Sequence, residues 1–214
     1  MDFPRIPAEL LPADGRFGSG PSRVRPAALA ALAATGSTYL GTSHRGATAK
    51  AVVARLRGRL TELFSLPEGY QVVLGNGGAS AFWDAAAFCL IERRSAHAVF
   101  GEFSGRFAAV AAGAPHLADP VVVESPMGTH PDLYPDPSVD LYALTQNETS
   151  TGVMAPVARP AADGLVAVDA TSAAGALPVD PACFDAYYFS PQKVFGSEGG
   201  LWVALLSPTS LDRI

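Results

Sequence analysis

Of the 15 basic residues in the chain only two are lysines, Lys50 and Lys193. Lys50 falls among arginines, on what reads as the solvated face of a helix. Lys193 stands alone, in the stretch Asp185-Ala-Tyr-Tyr-Phe-Ser-Pro-Gln-Lys193-Val-Phe-Gly-Ser-Glu-Gly-Gly200. An aromatic run precedes it, and the glycines after it let a backbone approach something closely. An amine among aromatic and small residues is easily desolvated, which lowers its pKa and makes it a nucleophile toward a carbonyl carbon.

Two further groups pair with that amine. Asp169 closes the apolar run Leu165 to Val168, where a carboxylate is partly buried and needs a cation or several donors. Gly75-Asn76-Gly77-Gly78-Ala79-Ser80 joins a strand-like run to a helical one, and small residues there let backbone N–H groups converge on a phosphate. The Gly-Lys-Ser/Thr ending of a nucleotide-binding loop is missing, and Ser80 stands where a dinucleotide fingerprint has its third glycine. A nicotinamide dehydrogenase is therefore a distant reading. Pyridoxal phosphate unites a phosphate, a group wanting a buried anion, and an aldehyde wanting a lysine. The polar run Gln146-Asn147-Glu148-Thr149 fits either this ligand or an ordinary helix cap.

The elements that must position these residues alternate. Helical spacing predicts helices over 26–34, 48–64, 79–91 and 104–112, the second with an apolar face of Val52, Leu56, Leu60, Leu63 and Phe64. Short apolar strands are expected at 71–74, 96–100, 121–123, 140–145, 165–168 and 186–189, with a further one at 201–206. Such alternation implies a largely parallel sheet covered on both faces, with chemistry beyond the carboxyl ends of its strands. Residues 1–25 read as an extended, turn-rich segment, and 26–214 as one large domain.

Composition bounds the rest. A chain of 214 residues, 49% hydrophobic and 16% charged, supports one sizeable core. A net charge of -5 and a pI near 5.3 argue against nucleic acid or an anionic membrane as partner. No apolar run approaches a membrane span. Met1-Asp-Phe-Pro-Arg5 has no secretory character, so a cytoplasmic protein is expected. Cys89 and Cys183 have no metal-ligand spacing and no metal is expected; Cys89 reads as a small buried hydrophobe.

Five segments, in order, resemble the fold-type I, class V pyridoxal-phosphate enzymes, and within them the phosphoserine aminotransferases. They are Phe17-Gly-Ser-Gly-Pro21, Ser43-His44-Arg45-Gly46, Asn147-Glu148-Thr149, Val168-Asp169-Ala-Thr-Ser172 and Gln192-Lys193. The resemblance implies the three-layer α/β/α large domain of these enzymes, with a mostly parallel sheet. It implies that Gly78, Ala79 and Ser80 hold the phosphate with Gln192, although an arginine common near Ala79 is absent. Phe103 would stack on the pyridine ring, Thr149 would bond the ring oxygen, Asp169 the ring nitrogen, and Lys193 would carry the cofactor covalently. His44 and Arg45 would bind substrate anions in a partner subunit's site, which implies a homodimer. The implied reaction moves an amino group from glutamate to 3-phosphohydroxypyruvate, giving phosphoserine for serine biosynthesis. Family members are longer, with a second, C-terminal domain beyond the region this chain covers. Other expectations are an alanine–glyoxylate aminotransferase, a cysteine desulfurase, for which neither cysteine is well placed, or a non-catalytic cofactor-binding domain.

Overall fold

The computed structural model describes residues 5–12 and 18–214. Its centre is a seven-stranded sheet. The strands, in chain order, are β1 (Gln71–Asn76), β2 (Ser95–Val99), β3 (Val121–Glu124), β4 (Leu141–Thr145), β7 (Leu165–Asp169), β8 (Ala186–Phe189) and β9 (Leu201–Leu206). Between β4 and β7 lies a two-stranded ribbon, β5 (Asn147–Glu148) and β6 (Val153–Met154). The sheet order is β1-β9-β8-β7-β4-β2-β3.

Strands β8, β7, β4, β2 and β3 are mutually parallel. β9 alone runs against its neighbours, pairing antiparallel with both β8 and β1, so β1 again points the common way. The reason lies in the connection from β8 to β9. It is the loop of residues 190–200, too short to cross the sheet and come back as a parallel neighbour, so the chain pairs antiparallel. Lys193 sits on that return loop. A mostly parallel sheet was expected, and the reversed strand is the one feature its alternation did not reveal.

Both faces of the sheet are covered, which is why its strands are apolar throughout. β8 divides its aromatics by strand alternation. Tyr187 and Phe189 face Phe64 at centroid separations of 5.6 and 5.9 Å. Tyr188 faces the other way and stacks on Phe82 at 4.3 Å. The first layer is closed by the end of α2 (Ala47–Leu63) and by residues around Ala170–Phe184; the second by α3 (Ala79–Cys89), α4 (Glu102–Gly113) and part of α5 (Pro208–Arg213). Each fully buried aromatic contributes on the order of 1.5–3 kcal/mol relative to exposure. His97 lies among them on β2, 1% exposed, with its ring nitrogen 2.9 Å from Ser95 Oγ; burial pushes its pKa down to about 4 and leaves it neutral.

Two expectations fail here. Cys89 is exposed, because α3 ends there and its last turn points away from the sheet. The apolar face of α2 is buried only at Leu60 and Phe64, with Leu56 and Leu63 exposed and Val52 half-buried. Only the last part of that helix meets the sheet. Helix α1 (Pro26–Ala33) also leaves Leu29 and Leu32 in the open. No described helix is long and apolar enough to cross a membrane, and no metal-binding cluster occurs among the described residues.

Glu148 ties the site side of the sheet together. Wholly buried, its carboxylate accepts Ser104 N at 2.9 Å, Ser104 Oγ at 2.9 Å, Phe103 N at 3.3 Å, Ser150 N at 3.2 Å and Ser150 Oγ at 2.9 Å. A carboxylate in the ribbon thus caps the N-terminus of α4, a helix remote in sequence, where the dipole favours negative charge. Burial alone would raise its pKa, but the bonds from Ser104 and Ser150 outweigh that and hold it below the usual range. Glu148→Ala strands several buried donors at about 1–3 kcal/mol each. Chemical denaturation should show a loss of roughly 3 kcal/mol or more, with Glu148→Gln losing distinctly less. A loss near zero for the alanine variant would show that α4 does not depend on this cap.

Candidate active site

Five of the six co-directional strands deliver a residue of interest from their carboxyl ends. Gly78 follows β1, Phe103 follows β2, Thr149 follows β4, Asp169 ends β7, and Gln192 and Lys193 follow β8. Parallel strands bring these ends to one edge of the sheet, where a crevice forms.

Gly77 and Gly78 both adopt positive φ, 109° and 77°, a conformation that turns the chain sharply from β1 into α3. Gly78 is the N-cap of α3 and has no side chain to satisfy the first-turn N–H groups. Ser80 is exposed in that turn. A Cβ placed on Gly78 would lie 3.9 Å from Ser190 Oγ, which puts this helix end beside the exit of β8. Beyond Ser190, the Gln192 side chain carries a buried Oε1 without a partner among the described residues. An uncapped helix start suits a phosphate, which its N–H groups can bind as donors, whereas the unpartnered Gln192 Oε1 is an acceptor and suits a donor group.

Asp169 is 7% exposed and its Oδ1 accepts Thr171 N at 2.9 Å. Its register partner on β8 is Tyr188, whose hydroxyl accepts Trp83 Nε1 at 2.9 Å. Burial pushes the Asp169 carboxyl up, the Thr171 N–H and the Tyr188 hydroxyl only partly offset that, and the nearby Glu148 charge adds to the rise. No side-chain cation reaches Asp169 among the described residues. A buried carboxyl in that condition fits a ligand that brings its own positive charge, as a protonated pyridine does. Thr149 Oγ1 lies 2.5 Å from Ser172 Oγ, and Thr171 Oγ1 is buried without a partner. Phe103 is 37% exposed at the head of α4, held there by Glu148.

Lys193 Nζ donates to Ser19 O at 2.7 Å, and burial lowers its pKa. Ser19 belongs to the N-terminal segment, which lies across the lysine loop: Ser22 N donates to Gln192 O at 2.7 Å, and Ser22 Oγ to the carbonyls of Gln192, at 3.2 Å, and Lys193. Together Gly18, Ser19, Gly20, Ser22, Ser172 and Lys193 border a pocket of about 290 Å³. Phe17, at the start of the resembling segment, falls outside the described residues. The segment reads in sequence only as a turn-rich stretch, so Ser19 and Ser22 were not among the candidates. Nor were Tyr188 and Trp83, for which the strand alternation of β8 offers the only signal, while Ser172 closes the resembling Val168–Ser172 segment without a role assigned to it.

His44 and Arg45 stand apart. Both are exposed, and neither borders the Lys193 pocket. Among the described residues the Arg45 side chain has no ion-pair partner; only its backbone N–H is used, by Ser43 Oγ at 3.2 Å.

Known proteins resemble this chain in sequence and in fold. Residues 132–209 match the family model for aminotransferase class-V. The chain is 61% identical over 212 residues to a putative phosphoserine aminotransferase of Mycobacterium avium (strain 104), covering 98% of this chain and 57% of that protein. A phosphoserine aminotransferase structure from Cytophaga hutchinsonii superposes with a TM-score of 0.85 at 28% identity, over 92% of this chain and 56% of that one. The PLP-bound phosphoserine aminotransferase of Trichomonas vaginalis shares the fold, with a TM-score of 0.76 at 20% identity over 92% of this chain and 59% of that one. The chain therefore spans a little over half the length of the curated relatives it matches.

The state of Asp169 has a consequence for the protein without ligand. A carboxyl whose folded pKa lies above its unfolded value stabilises the fold below the unfolded value, and that stability is lost as pH rises through the folded one. Asp169→Asn keeps the acceptor for Thr171 N and removes the penalty. In thermal melts of cofactor-free protein the variant should melt higher than the parent at pH 7.5, and the gap should close toward pH 4. A variant that melts lower throughout would show that the carboxylate is already fully compensated.

Proposed function

Because residues 132–209 match the aminotransferase class-V model and 98% of the chain aligns with a putative phosphoserine aminotransferase, we propose that it is the cofactor-binding part of an enzyme that makes phosphoserine by amino transfer between glutamate and 3-phosphohydroxypyruvate. The observation that carries the reading is the buried Asp169 without a cation, on the same sheet edge as a partly desolvated lysine and an uncapped helix start. The phosphoserine product follows from the naming of the Mycobacterium avium relative, which this chain covers only in part. Residues 26–214 form the cofactor domain in this proposal, and the setting is cytoplasmic.

Bound at this edge, pyridoxal phosphate would supply a protonated ring that draws electrons from the substrate carbon undergoing deprotonation. The N-terminus of α3, from Gly78 to Ser80, would hold its phosphate together with Gln192. Asp169 would keep the proton on the ring nitrogen, its own charge now paired. Phe103 would cover one face of the ring and exclude water. Thr149, oriented by Ser172, would donate to the ring oxygen. Lys193 would present the amine that bonds the aldehyde carbon, and afterwards move the proton at the substrate carbon. Neither cysteine serves this edge: Cys89 ends α3 and Cys183 lies in the 3-10 turn Pro181–Cys183, which disfavours a desulfurase.

His44 and Arg45 enter through a partner copy. An exposed histidine and arginine, together with the uncovered Leu29, Leu32, Leu40, Val53 and Leu56, fit a homodimer in which this loop reaches over the other copy's strand ends. There an arginine fork would bind the substrate phosphate.

Borohydride reduction in the presence of pyridoxal phosphate, followed by peptide mapping, should place a pyridoxyl group on Lys193. Label on Lys50 instead would remove the assignment. In the longer protein, Arg45→Ala should weaken 3-phosphohydroxypyruvate by about one to two decades, the cost of a charged hydrogen bond. Glutamate should be affected much less; equal, small changes for both substrates would return Arg45 to the solvent.

A further inference from the structure

Residues 18–22 do more than pass over the site. Ser19 gives Lys193 Nζ a carbonyl acceptor at 2.7 Å. Gly20 packs directly on the lysine side chain: a Cβ built there would meet Lys193 Cδ at 2.5 Å, Nζ at 2.8 Å and Cε at 3.0 Å. Its φ of 130° is one that residues with a side chain rarely adopt. Ser22 fixes the far end of the segment to the backbone of Gln192 and Lys193. The segment is a strap, tied down at Ser22 and lying on the lysine at Ser19 and Gly20.

We infer that the backbone of Ser19 and Gly20 is a positioning element for Lys193, holding the free amine at the mouth of the pocket and leaving it room by the absence of a side chain at residue 20. The inference rests on the reading of Lys193 as the cofactor lysine. A lysine has four rotatable side-chain bonds, and an unrestrained amine would spend most of its time in solvent. One carbonyl acceptor keeps the nitrogen in place without forming a salt bridge. That distinction matters, because a carboxylate partner would favour the charged amine, whereas attack on an aldehyde needs the neutral one. In that attack the neutral nitrogen would bond the aldehyde carbon and give up its two protons to the carbonyl oxygen, which would leave as water. The strap also covers the amine from solvent, in keeping with its lowered pKa.

The pattern separates Gly20 from Gly18. A Cβ on Gly18 would meet only backbone atoms of Gly20, at 3.8 Å, which is ordinary contact. Gly20→Ala should therefore displace the lysine while Gly18→Ala should not, although both change the same short segment by one methyl group.

The test follows the reaction of the full chain with pyridoxal phosphate, by growth of its visible band and by borohydride trapping with peptide mapping. Gly20→Ala should react at Lys193 at least tenfold more slowly than the parent, and Gly18→Ala within twofold of it, with melting temperatures checked for both. Ser22→Ala supplies a second readout, and decides the matter if Gly20→Ala fails to fold. Loosening the strap there should hydrate the amine, so the pH profile of its reaction should move to higher pH. A parent-like rate in Gly20→Ala, equal slowing in the two glycine variants, or an unshifted profile in Ser22→Ala would each overturn the positioning role. A parent chain that acquires no label at Lys193 would instead overturn the cofactor reading on which the role rests.

Discussion

Two buried carboxylates stand close together on this sheet edge, and their opposite fates organise the site. Glu148 is saturated, with five donors from Phe103, Ser104 and Ser150 closing on it. Its charge is fully accounted for, so it acts as a fastener: it fixes the start of α4, and with it Phe103, against the ribbon that carries Thr149. Asp169 has one backbone donor on Oδ1, a smaller contribution from the Tyr188 hydroxyl, and a neighbouring negative charge that makes its ionisation harder. Had Asp169 been satisfied as Glu148 is, the edge would be a stable strand end with no affinity for a cation. A carboxyl left short of partners is costly to the fold alone, and that cost becomes binding free energy once a protonated ring arrives.

Much of this was legible in the chain. Strand and helix alternation gave the layered architecture, and the rule that parallel sheets bind at their carboxyl ends pointed to Gly78, Thr149, Asp169 and Lys193 before any coordinates. The reversed β9 was not legible, because an apolar run such as Leu201 to Leu206 looks the same in either direction. Nor was the role of Glu148. Its position in Asn147-Glu148-Thr149 suggests a cap for a helix that follows, but the helix it caps starts at Glu102, 46 residues earlier. Hydrogen bonds across that separation depend on how strands are ordered, which single-chain periodicity does not encode.

The errors share a cause as well. Helical spacing predicts burial from pattern alone, and it placed Leu56 and Leu63 in the core along with Cys89. A pattern marks which face is apolar without saying what covers it. On α2 the sheet extends under only the last turns, so the remaining apolar positions are wholly or partly exposed in the isolated chain. On α3 the covered face is Phe82, Trp83, Ala86 and Ala87, and Cys89 falls outside it. His44 and Arg45 show the same limit in polar form: their residue types suit an anion, while nothing within one copy of this chain brings an anion to them.

The antiparallel return between β8 and β9 links the architecture to the proposed chemistry. Had β8 been followed directly by a helix, as β1 and β2 are, the residue at its end would be fixed in a first helical turn. The loop between these antiparallel strands is anchored at both ends, and Lys193 lies within it with its carbonyl accepting from Gly196 N at 3.1 Å, so that any movement belongs to its long side chain. An amine that must first bond a cofactor and later move a proton needs two positions a short distance apart. The sheet supplies the anchor on either side, with Ser190 Oγ donating to Leu201 O at 2.8 Å across the base of the loop. The N-terminal strap supplies the resting position. Neither feature alone would suffice: an unstrapped loop would lose the amine to solvent, and a helical one would hold it too firmly to change partners.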